Sequence, residues 1–318
     1  MVMKRLCMFV LIGLAAAGSL AAAGGRHEAP AARPGEVPAS RVFVDAMGRE
    51  VFVPAYPERV LAFNGSVLEM IFNVGVTPVG RVQEFQIDRG VTLPSVGTTN
   101  QINIEAVAAL NPDLIIANIR THGHLRESLE AIGAALYFMN PDAGGASAQN
   151  EITLTVGEML GRRDAAVEYL RRLYEMSDAY KEQIVAMNIR NAIIIRDGQS
   201  ITAAQPASGY GIVLTDMLGV PNVITSEMVG GRAVSFLEYN IEAFIRDDPE
   251  VIMILSSSND QAYNDVVLRQ FMADTRWAGL YAVRNNNVVV MPFRVNPNRA
   301  PREDMVRYIA QAILSTRS

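Results

Sequence analysis

The chain has 318 residues, with 28 basic and 33 acidic side chains, a net charge of −5 and 50% hydrophobic content. An acidic balance argues against nucleic acid as a partner, and the apolar content is ample for two cores. The single cysteine, Cys7, stands at the extreme N-terminus, so the remainder offers no thiol for a disulfide, a thiolate metal ligand or a cysteine nucleophile.

After Met1, Lys4 and Arg5 the sequence runs uncharged from Leu6 to Gly25 and passes through Ala21, Ala22 and Ala23. That is the layout of a secretory signal peptide over residues 1–23. The run is just long enough to span a bilayer, so a retained anchor is the alternative; its second half is Ala and Gly, which favours cleavage after Ala23. Residues 24–40, rich in Ala and Pro without apolar periodicity, read as a flexible tether. No later uncharged apolar run is long enough to cross a membrane.

From residue 41 onward apolar strands alternate with amphipathic helices, the pattern of parallel α/β sheets. Strand 59–63 leads through a loop to helix 67–73 and Gly75-Val76-Thr77-Pro78; strand 114–117 follows. Residues 151–188 lack Pro, and Ala166, Leu170, Leu173, Met176, Tyr180 and Ile184 fall on one helical face. This predicts a long helix, alone or preceded by a shorter one, with Met159, Met176 and Met187 as core filler. Strand 192–196 then leads through a longer loop to helix 212–218 and Gly219-Val220-Pro221.

Residues 103–116 match residues 240–253 without a gap. Asn103-Ile104-Glu105-Ala106 answers Asn240-Ile241-Glu242-Ala243, and Asn111-Pro112-Asp113 answers Asp248-Pro249-Glu250. Each copy reads as a short helix with a glutamate near its start, a Pro stop, and an acid leading a buried strand. The flanking elements recur in the same order, which implies two lobes of one plan. The fold expected is α/β: a first lobe over 41–150, a helical connector over 151–188 and a second lobe over 189–318. Each lobe has a central, mostly parallel sheet flanked by helices, and the ligand cleft lies between them.

Four segments carry a family resemblance. They are Val44-Asp45-Ala46-Met47-Gly48-Arg49-Glu50-Val51 with Pro54 and Pro57-Glu58-Arg59-Val60; Val96-Gly97 through Asn103-Ile104-Glu105 to Pro112-Asp113-Leu114-Ile115; Val234-Ser235 to Ile252; and Trp277-Ala278-Gly279-Leu280-Tyr281-Ala282-Val283 with Asn287-Val288-Val289-Val290. Together they resemble the helical-backbone class of periplasmic binding proteins, which serves ferric siderophores, haem and cobalamin. Many relatives carry a lipobox cysteine after the leader; Ala and Gly stand there in this sequence, which favours a free periplasmic protein over a lipoprotein.

The resemblance implies that Glu105 and Glu242 dock against arginines on the membrane subunits of an ABC importer, pairs that orient a complex and speed encounter. The alternative for either is a helix-start carboxylate favoured by the macrodipole, worth about 0.3 to 1 kcal/mol. Ligand is expected at the carboxyl ends of the parallel strands, where Asn64 and Ser66 fall. Arg81, Arg120, Arg232 and Arg294 suit an anionic chelate, since guanidinium presents forked donors. Against that, Lys4 and Lys181 are the only lysines, so arginine is the default cation of this chain. His122 and His124, with Tyr210, are candidate haem or metal ligands, or else loop residues and a packed ring.

No G-x-G-x-x-G follows the first strand, and G-x-x-x-x-G-K-[ST], H-E-x-x-H and G-x-S-x-G are absent from the sequence. The resemblance implies a receptor, expected to be monomeric and without a cofactor or catalytic residues, whose cargo is an iron chelate (siderophore or haem) or cobalamin. Molybdate or tungstate is the alternative cargo, and a secreted α/β hydrolase the rival of another class.

Overall fold

A computed structural model describes residues 39–140, 145–198, 200–230, 235–296 and 300–317. The expected leader, nearly all of the tether and Arg232 lie outside the described residues. Among those described, no helix is long and apolar enough to cross a membrane.

Strands β1 (Ser40–Val44) and β2 (Glu50–Pro54) form an antiparallel hairpin. Asp45 organises its turn: the carboxylate accepts from the backbone N–H of Met47 and Arg49 and from the Arg49 guanidinium at 2.6 Å, and Ala46 N–H donates to Phe138 O. Burial pushes the Asp45 carboxyl up, but Arg49 and the backbone donors outweigh it and hold it below its ordinary value. Next, β3 (Val60–Ala62) leads into α1 (Gly65–Asn73), the short pair β4 (Gly97–Thr98) and β5 (Gln101–Ile102), then α2 (Ile104–Ala109) and β6 (Leu114–Asn118). Helices α3 (Ile119–His122) and α4 (Arg126–Glu130) precede β7 (Ala135–Met139), and β3-β6-β7 form a fully parallel sheet. The central strand β6 is buried at every position, as a strand covered on both faces must be.

The connector is two helices, α5 (Gly145–Met159) and α6 (Arg163–Ala186). Helix α5 begins six residues before the expected boundary. Its N-terminus is held by Asp216 from the second lobe, whose carboxylate accepts from Ala146 N–H at 2.9 Å, a tertiary cap that local sequence does not reveal. The three methionines are core filler: Met159 is buried in the first core, and Met176 and Met187 pack on the second.

In the second lobe β8 (Ala192–Arg196), β9 (Thr202–Ala204), α7 (Gly209–Ile212), α8 (Ser226–Val229), β10 (Phe236–Glu238), α9 (Ile241–Asp247), β11 (Val251–Leu255), α10 (Gln261–Ala273), α11 (Tyr281–Arg284), β12 (Val288–Met291) and α12 (Arg302–Leu314) follow in order. The sheet order is β10-β9-β8-β11-β12, with β8, β11 and β12 parallel and β9 antiparallel to both its neighbours. The helix expected at 212–218 starts at Gly209 and continues as a π turn over Val213–Met217. Ser208 starts it by accepting from Gly211 N–H at 3.1 Å, and Thr215 Oγ1 donates back to Gly211 O, the kind of competing bond that loosens a helical ladder. Glycine is required at 211, because a Cβ would stand 2.2 Å from Gln205 O.

The repeat is a structural duplication in detail. Asn103 caps α2 by accepting from Ala106 N–H at 3.0 Å, and Asn240 caps α9 by accepting from Ala243 N–H at 2.6 Å. Asn111 and Asp248 end those helices in the left-handed region, at φ 42° and 38°. Asp113 then accepts from Arg59 N–H, and Glu250 from Arg190 N–H, each at 3.0 Å, tying the start of one strand to the residue that leads the strand beside it.

The lobes pack into one compact body spanning residues 38–318. One tie between them is a buried carboxylate: Glu69 on α1, 6% exposed, accepts from Arg302 N–H at 2.7 Å at the N-terminus of α12, whose preceding Pro301 supplies no side-chain cap. Burial raises the Glu69 carboxyl above its ordinary value and Arg302 opposes the shift.

Candidate functional site

The carboxyl ends of the parallel strands are where open α/β sheets meet ligands. In the first lobe β3 delivers Asn64, whose Oδ1 caps α1 by accepting from Ser66 N–H at 2.9 Å and also takes the Ser66 hydroxyl at 2.5 Å. The two residues named from sequence at this loop thus form one cap, with both half-buried. Strand β6 ends in Asn118, which caps α3 and so presents exposed Arg120.

His122 overturns one expectation. It is 1% exposed, its Nδ1 accepts from Asn118 N–H at 3.0 Å, and its Nε2 lies 2.7 Å from Thr99 O. An acceptor at Nδ1 requires the proton on Nε2, which donates to Thr99, so neither nitrogen is available to a metal. The ring also meets Phe63 edge-on at 5.3 Å. His122 therefore fastens the ends of β3 and β6 to the β4–β5 turn, and His124, two residues on, is the exposed imidazole. Burial lowers the His122 pKa, its Thr99 bond opposing the shift and His124 adding to it.

A pH prediction follows from that shift. Between the lowered folded value and about 6.5 the unfolded chain binds a proton at this position and the folded chain does not. Stability contributed by neutral His122 is complete above pH 6.5 and is lost as pH falls through that window, with a slope of up to about 1.4 kcal/mol per pH unit. Urea unfolding of wild type and His122→Gln between pH 5 and 7.5 checks this: the difference between the two should shrink on acidification, and a difference independent of pH would refute it.

Arg81 is committed to its own loop. Its Nε donates to Val91 O at 3.1 Å and its Nη1 to Val82 O and Gln83 O, which closes the segment between β3 and β4. The arginine expected to grip an anion here is a loop clamp. Tyr210 likewise belongs to the second core: it is 5% exposed, edge-on to Phe236 at 5.9 Å, and its phenol is pushed well above the ordinary value by burial. That packing removes it as a haem ligand or stacking platform.

The second lobe offers groups that the sequence did not single out. At the end of β8 the Arg196 guanidinium lies 3.6 Å from the centroid of Phe236, and the next residue, Asp197, accepts from Ser257 N–H and Oγ, each at 3.0 Å, and from Tyr263 OH at 3.3 Å. The signal available was positional: Asp197 follows β8 and Ser257 follows β11, two strand ends adjacent in the sheet. After β12, Arg294 is exposed, with its backbone N–H donating to Asn259 Oδ1 at 2.6 Å and its guanidinium 5.5 Å from the Tyr308 ring. A cavity of about 1290 Å³ opens beside this loop set and is walled by second-lobe residues. Among the described residues no three His, Cys, Asp or Glu side chains converge as a metal site.

Glu105 and Glu242 occupy the same place in the two copies, the second residue of α2 and of α9. Both are exposed, and neither has a hydrogen bond or ion pair among the described residues.

Two lobes of parallel α/β architecture, coupled by a helical connector and carrying their loops at the strand ends, define a solute receptor of the binding-protein type. The family model described as "Periplasmic binding protein" matches residues 63–295, and the chain belongs to that family. It is 25% identical over 256 residues to the Fe(3+)-citrate-binding protein YfmC of Bacillus subtilis, covering 78% of this chain and 77% of that one. Over 243 residues it is 30% identical to the Fe(3+) dicitrate-binding periplasmic protein FecB of Escherichia coli, covering 73% and 76%. Among solved structures, Staphylococcus aureus SirA complexed with staphyloferrin B superposes with a TM-score of 0.69 at 17% identity, covering 86% of this chain and 98% of that one.

Proposed function

We propose that this chain is the extracytoplasmic receptor of an ABC importer, that it binds an iron chelate in the cleft between its lobes, and that it performs no chemistry on it. The observation that carries this reading is membership of the periplasmic binding family across both lobes, together with curated relatives named for ferric citrate. The cargo's metal is substrate, carried inside its chelator. Asn64, Ser66, Arg120 and His124 from the first lobe, and Arg196, Asp197, Ser257 and Arg294 from the second, are the polar groups proposed to meet it. Arg120, Arg196 and Arg294 suit carboxylate or other oxyanion donors of a ferric chelate. Glu105 and Glu242 are proposed as the contacts with the importer's membrane subunits, one from each lobe.

A thermal-shift panel on the chain from residue 24 tests the cargo, with ferric citrate, a ferric catecholate, haemin, cobalamin and molybdate each in excess. A ligand at a hundred times its Kd adds about 2.7 kcal/mol to folding stability, which for a chain of this size raises Tm by roughly 5 to 10 °C. A rise with ferric citrate or the catecholate supports the iron-chelate reading. A rise with molybdate alone would replace it, and no rise with any compound would remove it.

A further inference from the structure

The seam between the lobes brings two carboxyl groups to one place. Glu69 projects from α1 of the first lobe to the start of α12 in the second, and is buried there. Its Oε1 accepts two donors, Arg302 N–H at 2.7 Å and Asn73 Nδ2 at 3.2 Å. Asn73 is held in that orientation because its own Oδ1 accepts from the Arg89 guanidinium at 2.5 Å. The residue after Arg302 is Glu303, which is half-buried, and its Oε2 is buried with no hydrogen-bond partner among the described residues. Burial pushes the Glu69 carboxyl up, Arg302 opposes the shift, and the charge of Glu303 adds to it. Tyr169 of α6 stands in the field of both glutamates, with Arg302 and Arg89 opposing them; the acids of α5, Glu151 and Glu158, are exposed.

A buried acceptor without a donor calls for one. Two carboxylates in one water-poor site resist double ionisation, and such a pair holds a proton between its members. A neutral carboxyl brings the missing O–H donor. Because Oε1 of Glu69 already takes two N–H donors, the proton belongs on its Oε2. We propose that Glu69 and Glu303 share a proton, Glu69 Oε2–H donating to Glu303 Oε2, and that this bond latches α1 to α12 across the seam between the lobes. Loss of the proton to solvent leaves two facing carboxylates, which repel and loosen the latch. A carboxyl raised in the fold contributes stability that is complete below its unfolded value of about 4.3 and is lost as pH rises through the raised one. Alkali therefore loosens the seam, the opposite sign to His122, whose contribution is lost in acid.

The test places spin labels at Ala108→Cys on α2 and Arg269→Cys on α10, both exposed, in a chain whose one cysteine is replaced by Cys7→Ser. Every chain also carries His122→Gln, so that the buried imidazole does not titrate. The distribution of distances between the lobes should broaden from pH 5 to pH 9 with Glu69 present. It should stay narrow in Glu69→Gln, whose amide accepts from Arg302 and donates to Glu303 without titrating, and be broad at both pH values in Glu69→Ala. Urea unfolding should follow the same course, the Glu69 chain losing stability relative to Glu69→Gln as pH rises. A distribution independent of pH with Glu69 present, or a broadening that Glu69→Gln shares, overturns the latch. Should Glu69→Ala fail to fold, the comparison of Glu69 with Glu69→Gln decides alone.

Discussion

Replacing Glu105 and Glu242 together by arginine is expected to reduce uptake of the iron chelate to background while leaving its affinity for the isolated chain within about twofold. Each carboxylate is exposed and without a hydrogen bond or ion pair among the described residues, so the substitution removes no contact described in the fold. The capping bonds of Asn103 and Asn240 hold both helix starts in place, and the unfavourable macrodipole contact of a cation there costs about 0.3 to 1 kcal/mol at each site, too little to unfold a domain. At an interface the consequences are larger. A charge-assisted hydrogen bond contributes about 1.5 to 3 kcal/mol, and setting an arginine against a basic group across the proposed interface costs several more, so the double reversal should move the complex by several orders of magnitude. Single reversals should give intermediate uptake. Measured uptake of radiolabelled iron in cells, beside tryptophan fluorescence titration of the purified chain, separates transport from binding. Uptake near the wild-type level in the double variant would remove both residues from the interface.

The repeat was legible in the sequence because its signals are local. An asparagine cap, a helix-breaking proline and a strand-leading acid each act within a few residues, and all recur at the same spacing in β6 and β11. What escaped were features set by distant partners. Helix α5 starts early because Asp216 lies at its end, 70 residues away, and α1 is joined to α12 through Glu69 across 233 residues. The site was read least well for the same reason. His122, Arg81 and Tyr210 are residue types that bind ligands, and they fall in or beside strand-end loops, yet Thr99, the carbonyls of Val82, Gln83 and Val91, and Phe236 occupy them. Arg196 and Asp197 follow β8 directly, but only the pairing of β8 with β11 brings Asp197 to Ser257.

A large stability effect is expected at Gly97, where the backbone has φ +100° and an added Cβ would lie 2.3 Å from Gln101 O and 3.2 Å from Asn103 N. Left-handed backbone alone costs a side chain about 1 to 2 kcal/mol, and the obstruction is main chain, which cannot swing aside. Gly97 pairs with Ile102 across the β4–β5 hairpin, Gly97 O accepts from Gln83 N–H at 2.8 Å, and Asn103 N–H donates to Val96 O at 2.9 Å. Relief of the clash must therefore open the hairpin that carries Thr99, the anchor of His122, and Asn103, the cap behind Glu105. Gly97→Ala should cost about 3 to 5 kcal/mol in urea unfolding, at the upper end for single substitutions. Gly133→Ala is the matched comparison: φ is +85° there, with nothing within 4 Å of the new Cβ, so only the backbone contribution of about 1 to 2 kcal/mol applies. The difference between the two variants isolates the steric conflict. If Gly97→Ala costs no more than Gly133→Ala, the hairpin yields readily, and it cannot be the rigid seat that fixes His122 and the start of α2.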